Sequence, residues 1–131
     1  MDMANTETLF NYLSYFKDTD QSFAEVLPQE EIEGEMIPGF IKYDSKIIDF
    51  AIEYMDLSLG KGDYTDYIHV FLASNPSVAE WQEFIQRADL ETVQSFLTYF
   101  VRKEQFKNGK MKWACENGVI YQLLFRLKEV I

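Results

Sequence analysis

Apolar residues recur at three- and four-residue spacing along most of the chain, the period of helices that bury one face. Leu9, Phe10, Leu13 and Phe16 set the first stripe, with Asn5 or Thr6 placed to cap it and Glu7 at the positive end of its dipole. A second helix begins at Asp44 or Ser45, carries Ile47, Ile48, Ala51, Tyr54 and Met55 as its buried stripe, and closes at the Gly60-Lys61-Gly62 turn. Tyr64, Tyr67, Ile68, Phe71 and Leu72 form the buried face of a third, stopped by Asn75-Pro76. Val78, Trp81, Ile85 and Ala88 line up on a fourth, for which Ser77 and Glu80 offer a capping box. From Asp89 a fifth carries Leu90, Val93, Leu97, Phe100 and Val101, with Phe96 alongside, and should run to Asn108-Gly109. A shorter helix over Met111 to Glu116 and a last one bearing Val119, Ile120, Leu123, Leu124, Leu127 and Ile131 complete the pattern.

The period fails between Asp18 and Lys42, where Pro28, Gly34, Pro38 and Gly39 fall among Glu30, Glu31, Glu33 and Glu35. The apolar content of that stretch (Phe23, Val26, Leu27, Ile32, Met36, Ile37, Phe40 and Ile41) argues for an ordered connection, with a short β-hairpin allowed over residues 23–43, because disordered segments are poor in such side chains. The expectation is therefore an all-α fold: a single multihelical domain over residues 1–131, with about six or seven helices joined by short loops. Leu13-Ser14-Tyr15-Phe16 and Leu97-Thr98-Tyr99-Phe100 look alike, but nothing around them repeats, so no duplication is inferred.

Composition narrows this picture. With 131 residues the chain can bury a core without a staple, and its single cysteine, Cys115, excludes disulfide scaffolds and cysteine-based zinc cages and points to a reducing cytoplasm. The acidic start Met1-Asp2-Met3-Ala4-Asn5 is unlike a signal peptide, and the apolar runs around Tyr67 to Ala73 and Phe96 to Val101 are too short to span a membrane. The net charge of −10 is uneven: residues 1–66 hold 4 basic and 15 acidic side chains, residues 67–131 hold 8 and 7. Such acidity serves solubility and repels a phosphate backbone unless a local patch overrides it.

Recognisable chemistry is scarce. Gly60-Lys61-Gly62-Asp63 lacks the spacing and hydroxyl of a phosphate-binding loop, and a calcium loop from Asp18 would place Phe23 and Gln29 where Gly and Glu are needed. His69, the sole histidine, shares a helix face with Asp66; together with Asp63 they are the weak catalytic candidates, and a metal would need further ligands such as Glu53. The structural alternative is a histidine at the boundary between core and solvent. Cys115, in Trp113-Ala114-Cys115, reads as a buried small side chain rather than a nucleophile. Neither a cofactor nor a metal is implied.

Against the acidic bulk stands a basic island of Arg102, Lys103, Lys107, Lys110 and Lys112, interleaved with Phe106 and Trp113. Cations with aromatics can grip single strands, but they also suit a helix C-terminus, or the acidic Glu30 to Glu35 segment of this chain or of a second copy. Tyr12, Tyr15, Tyr43, Tyr99 and Tyr121 fall at or off the helical stripes, where rings serve either a core edge or a partner surface.

The C-terminal third carries a resemblance. Phe96-Leu97-Thr98, Val101-Arg102-Lys103-Glu104-Gln105-Phe106, Gly109, Met111, Ala114, Asn117-Gly118, Ile120, Leu124 and Arg126-Leu127 resemble a family of short bacterial proteins known as a domain of unknown function. Its marks are an Arg-x-Glu-x-Phe-x-x-Gly stretch, at Arg102, Glu104, Phe106 and Gly109, and a closing Gly-x-Ile helix. Upstream the likeness is looser, resting on a Leu-x-x-Tyr segment, a Pro-containing connection and Asp66-Tyr67. The resemblance implies a helical fold and a bacterial cytoplasmic or phage-derived setting, and it transfers no catalytic residue. Three functional classes follow in order: a non-enzymatic interaction module with a protein partner, a nucleic-acid binder using residues 102–113, and a small enzyme built on His69.

Overall fold

The computed structural model describes residues 3–131 apart from 58 and 61, so Met1, Asp2 and the Lys61 of the expected turn lie outside it, as does the side chain of Asn5. The chain is mostly helical, in the order α1 (Met3–Phe10), α2 (Leu13–Lys17), β1 (Ala24–Leu27), β2 (Glu30–Ile32), β3 (Glu35–Ile37), β4 (Phe40–Tyr43), α3 (Ser45–Asp56), α4 (Tyr64–Ala73), α5 (Val78–Arg87), α6 (Leu90–Val101), α7 (Lys103–Lys107), α8 (Lys110–Glu116) and α9 (Val119–Val130). Nine helices among the described residues replace the six or seven expected, because two of the expected helices are broken. The first breaks at Asn11 and Tyr12, whose amides bond three residues back, to Thr8 and Leu9. It also starts earlier than expected, so Asn5 and Thr6 lie inside α1 instead of capping it. The long fifth helix ends at Val101, because Arg102 is extended (φ −73°, ψ 149°), and α7 restarts in a new direction that brings the Phe106 ring to 4.7 Å from Tyr43.

Local signals account for most other boundaries. The Ser77 hydroxyl accepts from the Glu80 amide while the Glu80 carboxylate accepts from the Ser77 amide, so the capping box forms. Asp89 caps α6 through the Thr92 amide and Asp44 caps α3 through that of Lys46. Asn75 stops α4 in the left-handed region (φ 52°), with Pro76 behind it. Gly109 and Gly118 (φ 84° and 74°) make the sharp joints on either side of α8.

The fold is mostly α, and the hairpin allowed over residues 23–43 forms between residues 24 and 43. There β1 pairs with β4 and β2 with β3, both antiparallel, and the partners keep one register, from Ala24 opposite Tyr43 to Ile32 opposite Glu35. The two small sheets are thus one β-arm, interrupted where Pro28 and Pro38 supply no amide hydrogen to the ladder. Its turn, Glu33-Gly34, has φ of 53° and 81°, the two-residue geometry that matches strand twist. Gly39 permits the close crossing at the break, since a Cβ there would stand 2.8 Å from the Leu27 carbonyl oxygen.

The core gathers behind the arm. α6 packs against α4, α8 and α9, and Val93, Phe96, Leu97 and Phe100 are buried among Ile120, Leu123, Leu124 and Leu127 of α9. Tyr54 reaches into this core and finds three oxygens: its hydroxyl lies 2.9 Å from Gln94 O, 3.1 Å from Leu59 O and 3.2 Å from Thr98 Oγ1. No described helix is long and apolar enough to cross a membrane.

Candidate functional site

Helix α3 departs from its expected face. Burial falls on Ile47, Phe50 and Tyr54, while Ile48 (45% exposed), Ile52 (56%) and Met55 (51%) form a second apolar stripe that faces outward. Two adjacent stripes on one helix mean that one is packed by this chain and the other is not. Ile52 entered no sequence stripe; its signal is the Ile48, Ile52, Met55 spacing of four and three residues, parallel to the buried set.

The outward stripe floors a groove of about 530 Å³, walled by Val101, Phe106 and the chain of α7, with Lys103, Lys107 and Asp56 also lining it. Ile48, Phe106 and Lys107 also line a neighbouring cleft of about 640 Å³ beneath Gly39 to Tyr43 of the arm, so groove and arm root adjoin. The joint is held by Tyr43, whose ring packs on Phe106 and whose hydroxyl donates to Phe106 O (2.8 Å) and lies 3.3 Å from the Lys112 amide. Gly109 gives α8 no side-chain cap, so the Tyr43 hydroxyl takes an end carbonyl of α7 and a first-turn amide of α8 together. Burial pushes the Tyr43 hydroxyl pKa up to about 12.

The basic island does not form one patch. The Arg102 guanidinium lies 5.4 Å from the centre of the Tyr64 ring and 3.5 Å from Glu104; Lys110 bonds the Tyr99 hydroxyl; Lys112 pairs with Glu116 at 2.9 Å. Trp113 leans on Trp81 at 6.0 Å and, with Lys110, borders a different cleft from the groove. Lys103 and Lys107 have no hydrogen-bond or ion-pair partner among the described residues. The Glu30 to Glu35 run does not neutralise the island within the chain: β2 and β3 are exposed throughout, and the island's ion pairs go to Glu104 and Glu116.

The histidine candidates lie elsewhere. His69 is exposed on α4, its Nδ1 2.8 Å from the carbonyl of Thr65 one turn back. Asp66 is exposed in the first turn of the same helix, Asp63 sits at its N-cap position, and Glu53 accepts from the Thr8 hydroxyl at 2.6 Å. Among the described residues no three His, Cys, Asp or Glu side chains gather as a metal site. Cys115 is buried on α8, and desolvation drives its thiol well above the ordinary range, which disfavours the thiolate. Of the rim tyrosines, Tyr43 is buried, Tyr12 packs edge-on against Phe50, and Tyr15 donates to Asp44 at 2.8 Å, so these three serve the edge of the core.

A family model described as Family of unknown function (DUF6508) matches residues 1–131. No curated protein and no solved structure matches the chain.

Proposed function

The chain belongs to the family of unknown function DUF6508, and from that premise we propose that it is a non-enzymatic protein-interaction module, one domain that works in the bacterial cytoplasm. Its groove takes a peptide segment that combines large apolar side chains with carboxylates. The observation that carries this reading is the outward apolar stripe of Ile48, Ile52 and Met55 beside Lys103 and Lys107. An apolar strip rimmed by cations rewards burial of aliphatic groups and selects for acidic partners by charge. The lone buried cysteine suits a reducing compartment.

The nucleic-acid alternative over residues 102–113 has weaker support. Arg102, Lys110 and Lys112 already have intramolecular partners, and Trp113 with Lys110 borders a different cleft from Phe106 with Lys103 and Lys107, so no continuous basic and aromatic track is left for a strand. The His69 alternative has weaker support still, because an exposed imidazole bonded to its own helix lacks the water-excluded setting that acid–base chemistry exploits.

Selection from a random-peptide display library on the immobilised protein tests the module. Enriched peptides should pair Leu, Ile or Phe with Asp or Glu, and Ile52→Glu or Lys107→Glu should abolish their binding without changing the unfolding temperature. A selection that enriches nothing, or peptides indifferent to both substitutions, refutes the reading.

A further inference from the structure

We infer that the groove's occupant is the β-arm tip of a second copy of this chain, so that two copies exchange arms; this rests on the docking reading above. On the distal arm Glu30 stands opposite Ile37 and Ile32 opposite Glu35, which puts two carboxylates and two aliphatic side chains on one face. Ile32 and Ile37 are 48% and 42% exposed, an apolar load that this chain leaves uncovered. Glu30 and Glu35 are exposed and, like Lys103 and Lys107 at the groove, have no ion-pair partner among the described residues. Each unsatisfied surface is what the other lacks: aliphatic face against aliphatic floor, carboxylates against ammonium groups.

Dimensions agree. From Ile48 to Met55 the groove floor runs roughly 10 Å at about 1.5 Å per helical residue, and from Gln29 to Glu33 the distal arm extends roughly 13 Å at about 3.3 Å per strand residue. The arm root borders its own groove through Phe40 and Lys42, while β2 and β3 stay in solvent, so a chain does not fold its tip back onto itself. Pairing two arms edge to edge would crowd the four glutamates of one tip, Glu30, Glu31, Glu33 and Glu35, beside those of the other, which like charge opposes. Reciprocal exchange about a two-fold axis fills both grooves and closes the assembly at two copies.

Sedimentation velocity on the full chain, with charge-reversed variants, tests the exchange. Wild type should be dimeric at about 100 µM, a concentration at which modest interfaces are populated. Glu30→Lys/Glu35→Lys and Lys103→Glu/Lys107→Glu should each be monomeric, and all four positions are exposed, so thermal unfolding at a dilution where the parent is also dissociated should match the parent. Mixing the two variants should restore a dimer, because each tip then meets a groove of opposite charge. A monomeric wild type, a dimer that survives both reversals, or a mixture that stays monomeric overturns the exchange. If wild type is monomeric yet acidic–apolar peptides still bind the groove, only the exchange fails; if neither occurs, the docking reading falls too.

Discussion

Tyr43→Phe removes a single oxygen that serves two helix ends. In the native chain that oxygen donates to the Phe106 carbonyl at 2.8 Å and lies 3.3 Å from the Lys112 amide, while the ring beneath it, 8% exposed, packs on Phe106. Phenylalanine keeps the ring contact, so no cavity opens. What is lost is a shared cap, leaving a carbonyl and an amide short of partners in a half-buried setting. A neutral hydrogen bond contributes about 1 kcal/mol net and an orphaned buried group costs about 1–3 kcal/mol, so the expected loss is about 2 kcal/mol, or roughly 7 °C for a domain of this size. Urea unfolding followed by the emission of Trp81 and Trp113 reads the difference. Lys112→Ala is the control: it removes the exposed pair with Glu116 but keeps the amide, and should cost no more than about 0.5 kcal/mol. A Tyr43→Phe variant within about 0.5 kcal/mol of the parent would refute the shared cap.

Two further outcomes follow from the arm and its anchor. Gly39→Ala should lower stability by about 1–3 kcal/mol, because the added carbon meets backbone atoms, the Leu27 oxygen at 2.8 Å and the Gln29 nitrogen at 3.0 Å, that no side-chain rotation clears; an unchanged melting temperature would show that the strands separate freely there. In alkali the Tyr43 proton is held by the native chain up to about 12, against 10.0 for the exposed group, so its contribution is complete below about pH 10 and is lost as pH rises toward 12. Tyr54 and Tyr15 are shifted in the same direction, chiefly by burial. Urea midpoints measured between pH 9 and pH 11.5 should therefore decline, and a constant or rising midpoint contradicts the buried, protonated hydroxyls.

Helix content, caps and joints are legible along the chain because each depends on residues within a turn of one another. Ser77 and Glu80, Asp89 and Thr92, and the left-handed glycines at 109 and 118 satisfy or redirect the backbone locally, whatever the rest of the molecule does. The arm's ladder and its Glu33-Gly34 turn are local in the same sense, though Pro28 and Pro38 obscure the alternation by breaking it in the middle. Which apolar residues meet water is a different matter. Ile47 and Ile48 are neighbours of like chemistry, and only the packing of α3 on the core buries one and exposes the other. The basic run from Arg102 to Lys112 reads as one cluster, yet the extended Arg102 turns α7 away from α6, and partners distant in sequence, such as Tyr64, divide the charges. Backbone geometry answers to near neighbours and so belongs to the sequence. Exposure and charge neutralisation answer to groups tens of residues away, so the groove and the bare arm tip exist only in the folded chain.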